Sequence, residues 1–243
     1  MILQHCKEAL YDEIPTKEIA RSLLMTVRSL IEHGMQYSYV AARLLFIHLY
    51  KEVIGDDIDF KHLDKHYRET FVRNVKKGVD MGLLAEDILQ FDLEMLAESL
   101  HPERDHLISY LGAQTLYDRY FIKNAQTKLM LETPQAFWMR VAMGLAIKED
   151  NRNARALEFY EVLSNLRYTP STPTLFHAGT RHPQLSSCYL TTIEDDLHHI
   201  FKCIGDNAQL AKWSGGIGND WTNLRGTGAV IKANNITSNG IIP

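Results

Sequence analysis

Cys188 is the residue whose type and surroundings most clearly suggest redox chemistry. It lies in Leu185–Ile193, a run rich in residues that favour β-strands, and it directly follows Ser187. A cysteine acts in redox chemistry as its thiolate, and the two-electron reduction of a substrate requires two thiols that close into a disulfide. A single cysteine in a strand is also commonly a small buried hydrophobic residue. The residue types alone therefore leave a redox and a packing interpretation open.

The other two cysteines have less support. His199 and Cys203 stand at i, i+4 spacing on a predicted helix, and such a pair can in principle bind zinc. Two ligands do not complete a structural zinc site, and Cys6 has no supporting neighbours in the sequence. We therefore predict no metal site in this chain.

The glycine-rich segment Ser214–Gly228 is a second candidate, and we predict that it forms an irregular loop. Glycines allow backbone N–H groups to converge on a phosphate. The segment matches neither G-x-x-x-x-G-K-[ST] nor G-x-G-x-x-G, which disfavours a standard mononucleotide or dinucleotide loop. Arg225 and Lys232 can pair with a triphosphate, and each is equally well explained as a solvated surface charge.

The third candidate is Thr169–Thr174, where hydroxyl side chains alternate with two prolines. Such a segment can present O–H and N–H donors to a phosphate. The prolines and their β-branched neighbours oppose a helix, so the structural alternative is a plain turn.

Apolar residues recur at helical spacing up to about residue 166. We therefore predict that helices form this part of the chain and position the candidates. Examples are Val40–Tyr50, a helix that begins with Thr133 and Pro134, and another that opens near Asn153. Another helix is predicted to start at Asp195 and Asp196, whose carboxylates suit its N-terminus. Its apolar stripe consists of Leu197, Ile200, Phe201, Ile204, Ala208 and Ala211.

Composition limits the classes of function. The chain has 243 residues and a net charge of −4, which is ordinary for a globular protein and argues against a partner bound through nucleic-acid phosphates. No apolar stretch approaches the roughly 20 residues of a membrane span, and the start has no secretory signal pattern. Three cysteines are an odd and sparse set, which does not form a disulfide framework and favours a reducing compartment. We therefore expect a cytoplasmic protein.

Taken in order, these segments resemble the large, catalytic (alpha) subunit of class I ribonucleotide reductase. The resemblance covers nearly the whole chain and depends on the order and spacing of its motifs. Those motifs are Tyr39–Leu44, Gln114–Tyr120, Thr169–Phe176, Ser186–Cys188, Asp195–Leu197, Gly215–Gly218 and Arg225.

The resemblance implies a mainly α fold at residues 1–180, followed at 181–243 by the first strand, helix and effector loop of a ten-stranded α/β barrel. It implies that the ribose 2′-hydroxyl is replaced by hydrogen through a thiyl radical and a redox pair of cysteines. The family's radical cysteine and second redox cysteine lie beyond Pro243. We therefore expect this chain to be inactive until a second polypeptide supplies the rest of the alpha subunit.

The resemblance also implies roles for single residues. Cys188 falls on one member of the redox pair. Thr172, Ser187 and Gly216 fall on positions that hold the diphosphate and ribose of the substrate. The resemblance further implies a site for a deoxynucleoside triphosphate or ATP effector, at an interface between two alpha subunits. Its residues are Asp195, Asp196, Leu197, Arg225 and Lys232.

The partners implied are a second alpha subunit, a beta subunit that holds a metal-radical cofactor, and a reductant of the thioredoxin or glutaredoxin type. No cofactor is expected in this chain itself. Two alternatives stay open: part of a cobalamin-dependent reductase, and a non-catalytic module that senses nucleotides or aids assembly. A pure sensor has no need of a redox thiol at Cys188.

Overall fold

The computed structural model describes residues 2–8, 11–231 and 235–241, which divide into two compact units. The first unit holds the described residues up to Thr169 together with Leu175–Pro183. The second holds Pro170–Thr174 and the described residues from Gln184 onward. Among the described residues, no helix is long and apolar enough to cross a membrane.

The first unit is helical, as the apolar spacing predicts. Its α-helices are α1 (Ile2–Glu8), α2 (Thr16–Ser29), α3 (Met35–Val53), α4 (Leu63–Asp80), α5 (Leu93–Glu98), α6 (Tyr110–Thr115), α7 (Pro134–Ala146) and α8 (Arg152–Ser164). One π-helical turn, Leu116–Tyr120, directly continues α6. The 3-10 helices are Ile31–His33, Phe60–His62, Glu86–Gln90 and Pro102–Leu107.

Helix α7 forms the centre of this unit, and most of its residues are buried. Thr133, the residue before α7, has an extended backbone. Pro134 occupies the first turn, where backbone N–H groups have no partner within the helix, so the N–H that proline lacks costs no hydrogen bond. Burial of large side chains such as Phe137 and Trp138, both almost fully buried, supplies the hydrophobic free energy that holds α7 in place.

A buried polar cluster around Asp105 ties several helices to this core. The Asp105 carboxylate, only 2% exposed, accepts hydrogen bonds from the Tyr50 hydroxyl (2.5 Å), the Tyr67 hydroxyl (3.1 Å) and Gln135 Nε2 (2.7 Å). The Tyr160 hydroxyl donates to Gln135 Oε1 at 2.8 Å. Burial raises the pKa of Asp105 from 3.8 to about 7, and the hydrogen bonds that favour the charged form offset only part of that effect.

Gly144 on α7 lies against the backbone of the segment after residue 175. A β-carbon at Gly144 would stand 2.1 Å from the Gly179 nitrogen and 2.4 Å from the Ala178 carbonyl carbon. No side-chain rotation can relieve an overlap between two backbones. Only glycine therefore permits this close approach.

We expect Gly144→Ala to lower the free energy of unfolding by at least about 1–3 kcal/mol, because the two backbone segments must move apart to admit the methyl group. Gly205→Ala, in the helix Leu197–Lys212 of the second unit, is the control. Nothing lies within 4 Å of its β-carbon position, and alanine favours helices over glycine by about 1 kcal/mol. Thermal unfolding of both variants checks the prediction, and an unchanged melting temperature for Gly144→Ala would contradict it.

In sequence, α9 (Thr172–His177) passes from the second unit into the first. The prediction of a plain turn at Thr169–Thr174 was wrong in its second half, since Thr172 begins this helix. The physical reason is that Pro173 occupies the second helical position, where the absent N–H would have had no partner within the helix.

The second unit contains a strand–helix–strand unit of β1 (Cys188–Thr192), α10 (Leu197–Lys212) and β2 (Gly216–Asp220). The strands are parallel, in a register that runs from Cys188 opposite Gly216 to Thr192 opposite Asp220. Two short antiparallel strands follow, β3 (Val230–Ile231) and β4 (Ile236–Thr237).

The prediction that all of Ser214–Gly228 is an irregular loop was wrong for β2. Glycines have weak strand preference, but here they permit close contact with β1. A β-carbon at Gly216 would lie 3.0 Å from the Ser187 carbonyl oxygen, and one at Gly218 would lie 2.8 Å from the Leu190 side chain. Pairing with β1 therefore determines the extended conformation of these residues, in agreement with the context dependence of strand formation.

Candidate functional site

Strand pairing brings three of the predicted site residues together. Cys188 is the register partner of Gly216, and the Gly216 N–H donates a 2.7 Å hydrogen bond to the Ser187 carbonyl oxygen. Cys188, Ser187 and Gly216 are all solvent-exposed. The structure thus presents a thiol, a hydroxyl and an uncovered stretch of backbone at the start of the two parallel strands.

Thr172 lies in the same unit, exposed at the first residue of α9. The Thr174 hydroxyl donates to the Leu185 carbonyl oxygen at 3.0 Å. This bond joins the segment that carries Thr172 to the residues that lead into Ser187. The predicted substrate-binding positions therefore belong to one compact unit, although they are separated in the sequence.

The predicted effector residues gather at the start of α10. Asp196 is its N-cap, and its carboxylate accepts a 2.8 Å hydrogen bond from the His199 N–H, as the sequence predicted for a capping carboxylate. Leu197, the first helical residue, is 69% exposed. The start of α10 thus places a helix N-terminus next to an uncovered apolar side chain.

Arg225 reaches the same place from a position 30 residues after Asp195, and its Nε donates to Asp195 Oδ2 at 2.7 Å. Both side chains are about one-third exposed, at 35% and 36%. The sequence suggested a solvated charge or a partner for a triphosphate, and the structure pairs Arg225 with an aspartate instead. Lys232, the fifth predicted effector residue, lies outside the described residues.

The stripe on α10 is largely open to solvent. Phe201 is 64% exposed and Ile204 48% exposed, whereas Cys203 on the other side of the helix is buried. Leu190 on β1 is 84% exposed as well. A cluster of exposed apolar side chains of this kind is typical of an interaction surface.

His199 and Cys203 do lie side by side, with 3.7 Å between Cys203 Sγ and His199 Nδ1. The Glu194 N–H also donates to His199 Nδ1, at 3.1 Å. Within the part of the chain that the structure describes, no three histidine, cysteine or acidic side chains come together as a metal site.

Arg140 is a residue that the sequence reasoning missed. It is 1% exposed, and it contacts the carboxylate of Glu132 and the carbonyl oxygens of Leu175 and Ala178. The sequence carried one signal for it, an arginine inside the otherwise apolar pattern of α7. A charge on a buried helix requires partners, so such an arginine indicates a buried polar contact.

Comparison with known protein families gives two matches. Residues 106–183 match the family described as ribonucleotide reductase, all-alpha domain, and residues 186–243 match ribonucleotide reductase, barrel domain. Together the two matches span more than half of the chain. They confirm the predicted order of a mainly α domain followed by the opening of a barrel domain.

Curated proteins similar to this chain include the ribonucleoside-diphosphate reductase subunit alpha of Chlamydia trachomatis, 49% identical over 233 residues, which are 96% of this chain and 22% of that protein. The subunit alpha of Helicobacter pylori is 40% identical over 96% of this chain and 28% of its own length. The large subunit of Arabidopsis thaliana is 30% identical over 100% of this chain and 29% of its own length. The chain thus spans between a fifth and a third of the length of these relatives.

Proposed function

This chain belongs to the ribonucleotide reductase large-subunit family, and on that premise we propose that it forms part of a ribonucleoside-diphosphate reductase alpha subunit. The reaction converts ribonucleotides to deoxyribonucleotides. The observation that carries the proposal is the register of β1 and β2, which sets the exposed thiol of Cys188 opposite Gly216 and next to Ser187.

Cys188 would be one thiol of the redox pair. Replacement of the ribose 2′-hydroxyl by hydrogen releases water and consumes two electrons and two protons. Two thiols supply both when their sulfur atoms join in a disulfide, and an external dithiol then reduces that disulfide by exchange. The rest of the alpha subunit would supply the second thiol and the radical cysteine. A metal-radical cofactor in a partner beta subunit would supply the oxidising equivalent that generates the thiyl radical.

Thr172, Ser187 and Gly216 would hold the substrate. Hydroxyl groups of Thr172 and Ser187 are donors suited to diphosphate and ribose oxygens. The missing side chain at Gly216 lets a ligand approach the backbone beside Cys188. The exposure of all three residues supports this assignment, since none is covered by its own unit.

The start of α10 would hold a deoxynucleoside triphosphate or ATP effector. Asp195 and Asp196 offer acceptors for ribose hydroxyls, Leu197 offers an apolar contact, and the helix N-terminus favours an anion. Arg225 would exchange its contact with Asp195 for the triphosphate, with Lys232 adding a second charge. The uncovered stripe of α10 supports a helix-to-helix contact between two alpha subunits at this site.

The test of this function is reconstitution. The purified chain alone should form no deoxyribonucleotide, because Cys188 is the one exposed cysteine in the described structure and a single thiol cannot close a disulfide. Addition of a polypeptide that completes the alpha subunit, a radical-generating beta subunit and a dithiol should produce deoxyribonucleotide. Turnover by the chain alone would contradict the proposal. Turnover that requires adenosylcobalamin in place of the beta subunit would establish the cobalamin-dependent alternative.

We expect Arg225→Ala to weaken deoxynucleoside triphosphate binding about ten- to a hundredfold, the effect of losing a charge-assisted contact worth roughly 1.5–3 kcal/mol. Basal reduction in the completed enzyme should survive. Calorimetric titration of the assembly with dTTP or dATP measures the change. Arg155→Ala is the matched control, since Arg155 also pairs with a carboxylate, that of Glu158, at an exposed position of the helical unit. Equal affinity in the two variants would mean that Arg225 has only a structural role.

A further inference from the structure

Two threonines of the second unit face opposite sides of the first turn of α9. Thr172 is exposed, whereas only 7% of the surface of Thr174 is exposed. A helix completes a turn in about 3.6 residues, so two residues along it correspond to a rotation of roughly 200°. The same turn therefore presents one hydroxyl to solvent and carries the other one inward.

The inward hydroxyl holds the segment that leads into β1. Thr174 Oγ1 donates to the Leu185 carbonyl oxygen at 3.0 Å, and Leu185 belongs to the second unit as well. Because β1 begins at Cys188, the pairing of β1 with β2 does not reach this carbonyl oxygen. The threonine hydroxyl thus takes the place of a strand partner for residues 184–187, the lead-in segment of β1.

The lead-in segment is itself fixed to the strand pair at two points. The Gln184 side chain donates from Nε2 to the Trp213 carbonyl oxygen at 3.0 Å. The Ser187 carbonyl oxygen accepts a 2.7 Å hydrogen bond from the Gly216 N–H. These two contacts hold both ends of the lead-in segment against the connection between α10 and β2. The threonine bond therefore attaches α9 to a restrained part of the second unit.

The position of Thr172 depends on this attachment. Thr172 lies two residues before Thr174, and two residues of chain span at most about 7 Å. The bond to Leu185 therefore limits how far Thr172 can stand from the lead-in segment. We propose, on the basis of the function proposed above, that Thr174 is a positioning residue for Thr172. It does not touch the substrate. It sets the distance between the Thr172 hydroxyl, which would bind the diphosphate, and Cys188, which would reduce the ribose.

Thr174→Val keeps the branched shape of the side chain and removes the hydroxyl, which leaves the Leu185 carbonyl oxygen without this donor. In the completed enzyme we expect the KM for a ribonucleoside diphosphate to rise about three- to tenfold, the effect of one neutral hydrogen bond. We expect kcat to change little, because a contact with the diphosphate acts equally on the bound substrate and on the transition state. Thr174→Ser retains the hydroxyl and should bring the KM back close to the wild-type value.

Thr115→Val is the matched control. The Thr115 hydroxyl also donates to a backbone carbonyl oxygen, that of Leu111 at 2.7 Å, but on α6 in the first unit. Its loss should leave the KM unchanged. Calorimetric titration of the reconstituted alpha subunit with CDP gives a readout that needs no turnover. Thr174→Val should weaken CDP binding by the same factor as it raises the KM, and the affinity for dTTP should stay the same.

A double-mutant cycle with Thr172→Ala shows whether Thr174 acts through Thr172. If it does, Thr174→Val should add little to the KM of the Thr172→Ala enzyme, since contributions through a shared contact are not additive. Should Thr174→Val fail to fold, Gln184→Met, which frees the same lead-in segment from Trp213, must raise the KM in its place.

Four results would overturn the proposal: an unchanged KM in Thr174→Val, an equal rise in Thr115→Val, an equal rise in Thr174→Ser, or full additivity in the cycle. A wild-type assembly that forms no deoxyribonucleotide would instead refute the proposed function, and the role of Thr172 with it.

Discussion

Cys188→Ser should abolish multiple turnover of the reconstituted enzyme with a dithiol reductant, while nucleotide binding stays nearly intact. Serine has almost the same size as cysteine, so β1 and its pairing with Gly216 should persist. Its hydroxyl cannot form a disulfide, so the two electrons that each reduction consumes have no source. Deoxyribonucleotide formation over many cycles, together with calorimetric titration of the substrate, measures both halves of this prediction.

Cys6→Ser is the control for the loss of a thiol as such. Cys6 is half-buried, and its Sγ lies 3.7 Å from the Thr26 hydroxyl in the helical unit. The Cys6→Ser enzyme should cycle normally. If Cys188→Ser cycles equally well, Cys188 is a packing residue, and a nucleotide-sensing or assembly module becomes the better description of the chain.

The second large effect concerns stability and pH. Burial raises the pKa of Asp105 from 3.8 to about 7, so between these values the folded chain holds a proton that the unfolded chain has released. The free energy of unfolding must therefore fall as pH rises through this window. The contribution is fully present below about pH 4 and is lost by about pH 7, with an upper magnitude of roughly 4 kcal/mol.

Asp105→Asn should remove this slope, because asparagine does not titrate. The variant should also be less stable than the wild type at low pH, because its amide carries two N–H donors where the protonated carboxyl carries one O–H, at a point where three donors already meet. Urea unfolding followed by helical circular dichroism between pH 4.5 and 7.5 (roughly the span of the shift) measures the difference. Asp64→Asn, at an exposed position in the first turn of α4, is the control and should keep the wild-type slope. Parallel pH curves for wild type and Asp105→Asn would contradict the assignment.

Much of the fold follows from local sequence. Apolar spacing predicted the helices at Val40–Tyr50 and after Asn153, and they are parts of α3 and α8. The pattern of Thr133 and Pro134 predicted the start of α7. These predictions succeed because a helix is built from contacts within a few residues, and its caps depend on side chains next to its ends.

The strand β2 and the helix α9 could not be predicted in this way. Gly216–Asp220 has little intrinsic tendency to form a strand, and β1 supplies the hydrogen bonds that make it one. Thr172–His177 begins with a proline-containing turn, and Arg140 provides partners for its carbonyl end from a distant part of the chain. Both elements depend on contacts between residues far apart in sequence.

The sequence by itself determined which groups are available for chemistry: the thiol of Cys188, the hydroxyls of Thr172 and Ser187, and the charges near the start of α10. Side-chain type and motif order suffice for that, because reactivity begins with chemical identity. Only the tertiary structure decided how these groups are used. Parallel pairing sets Cys188 opposite Gly216, and Arg225 joins Asp195, which stands 30 positions earlier in the sequence. A proton affinity such as that of Asp105 belongs to the folded state alone, since burial by several helices creates it.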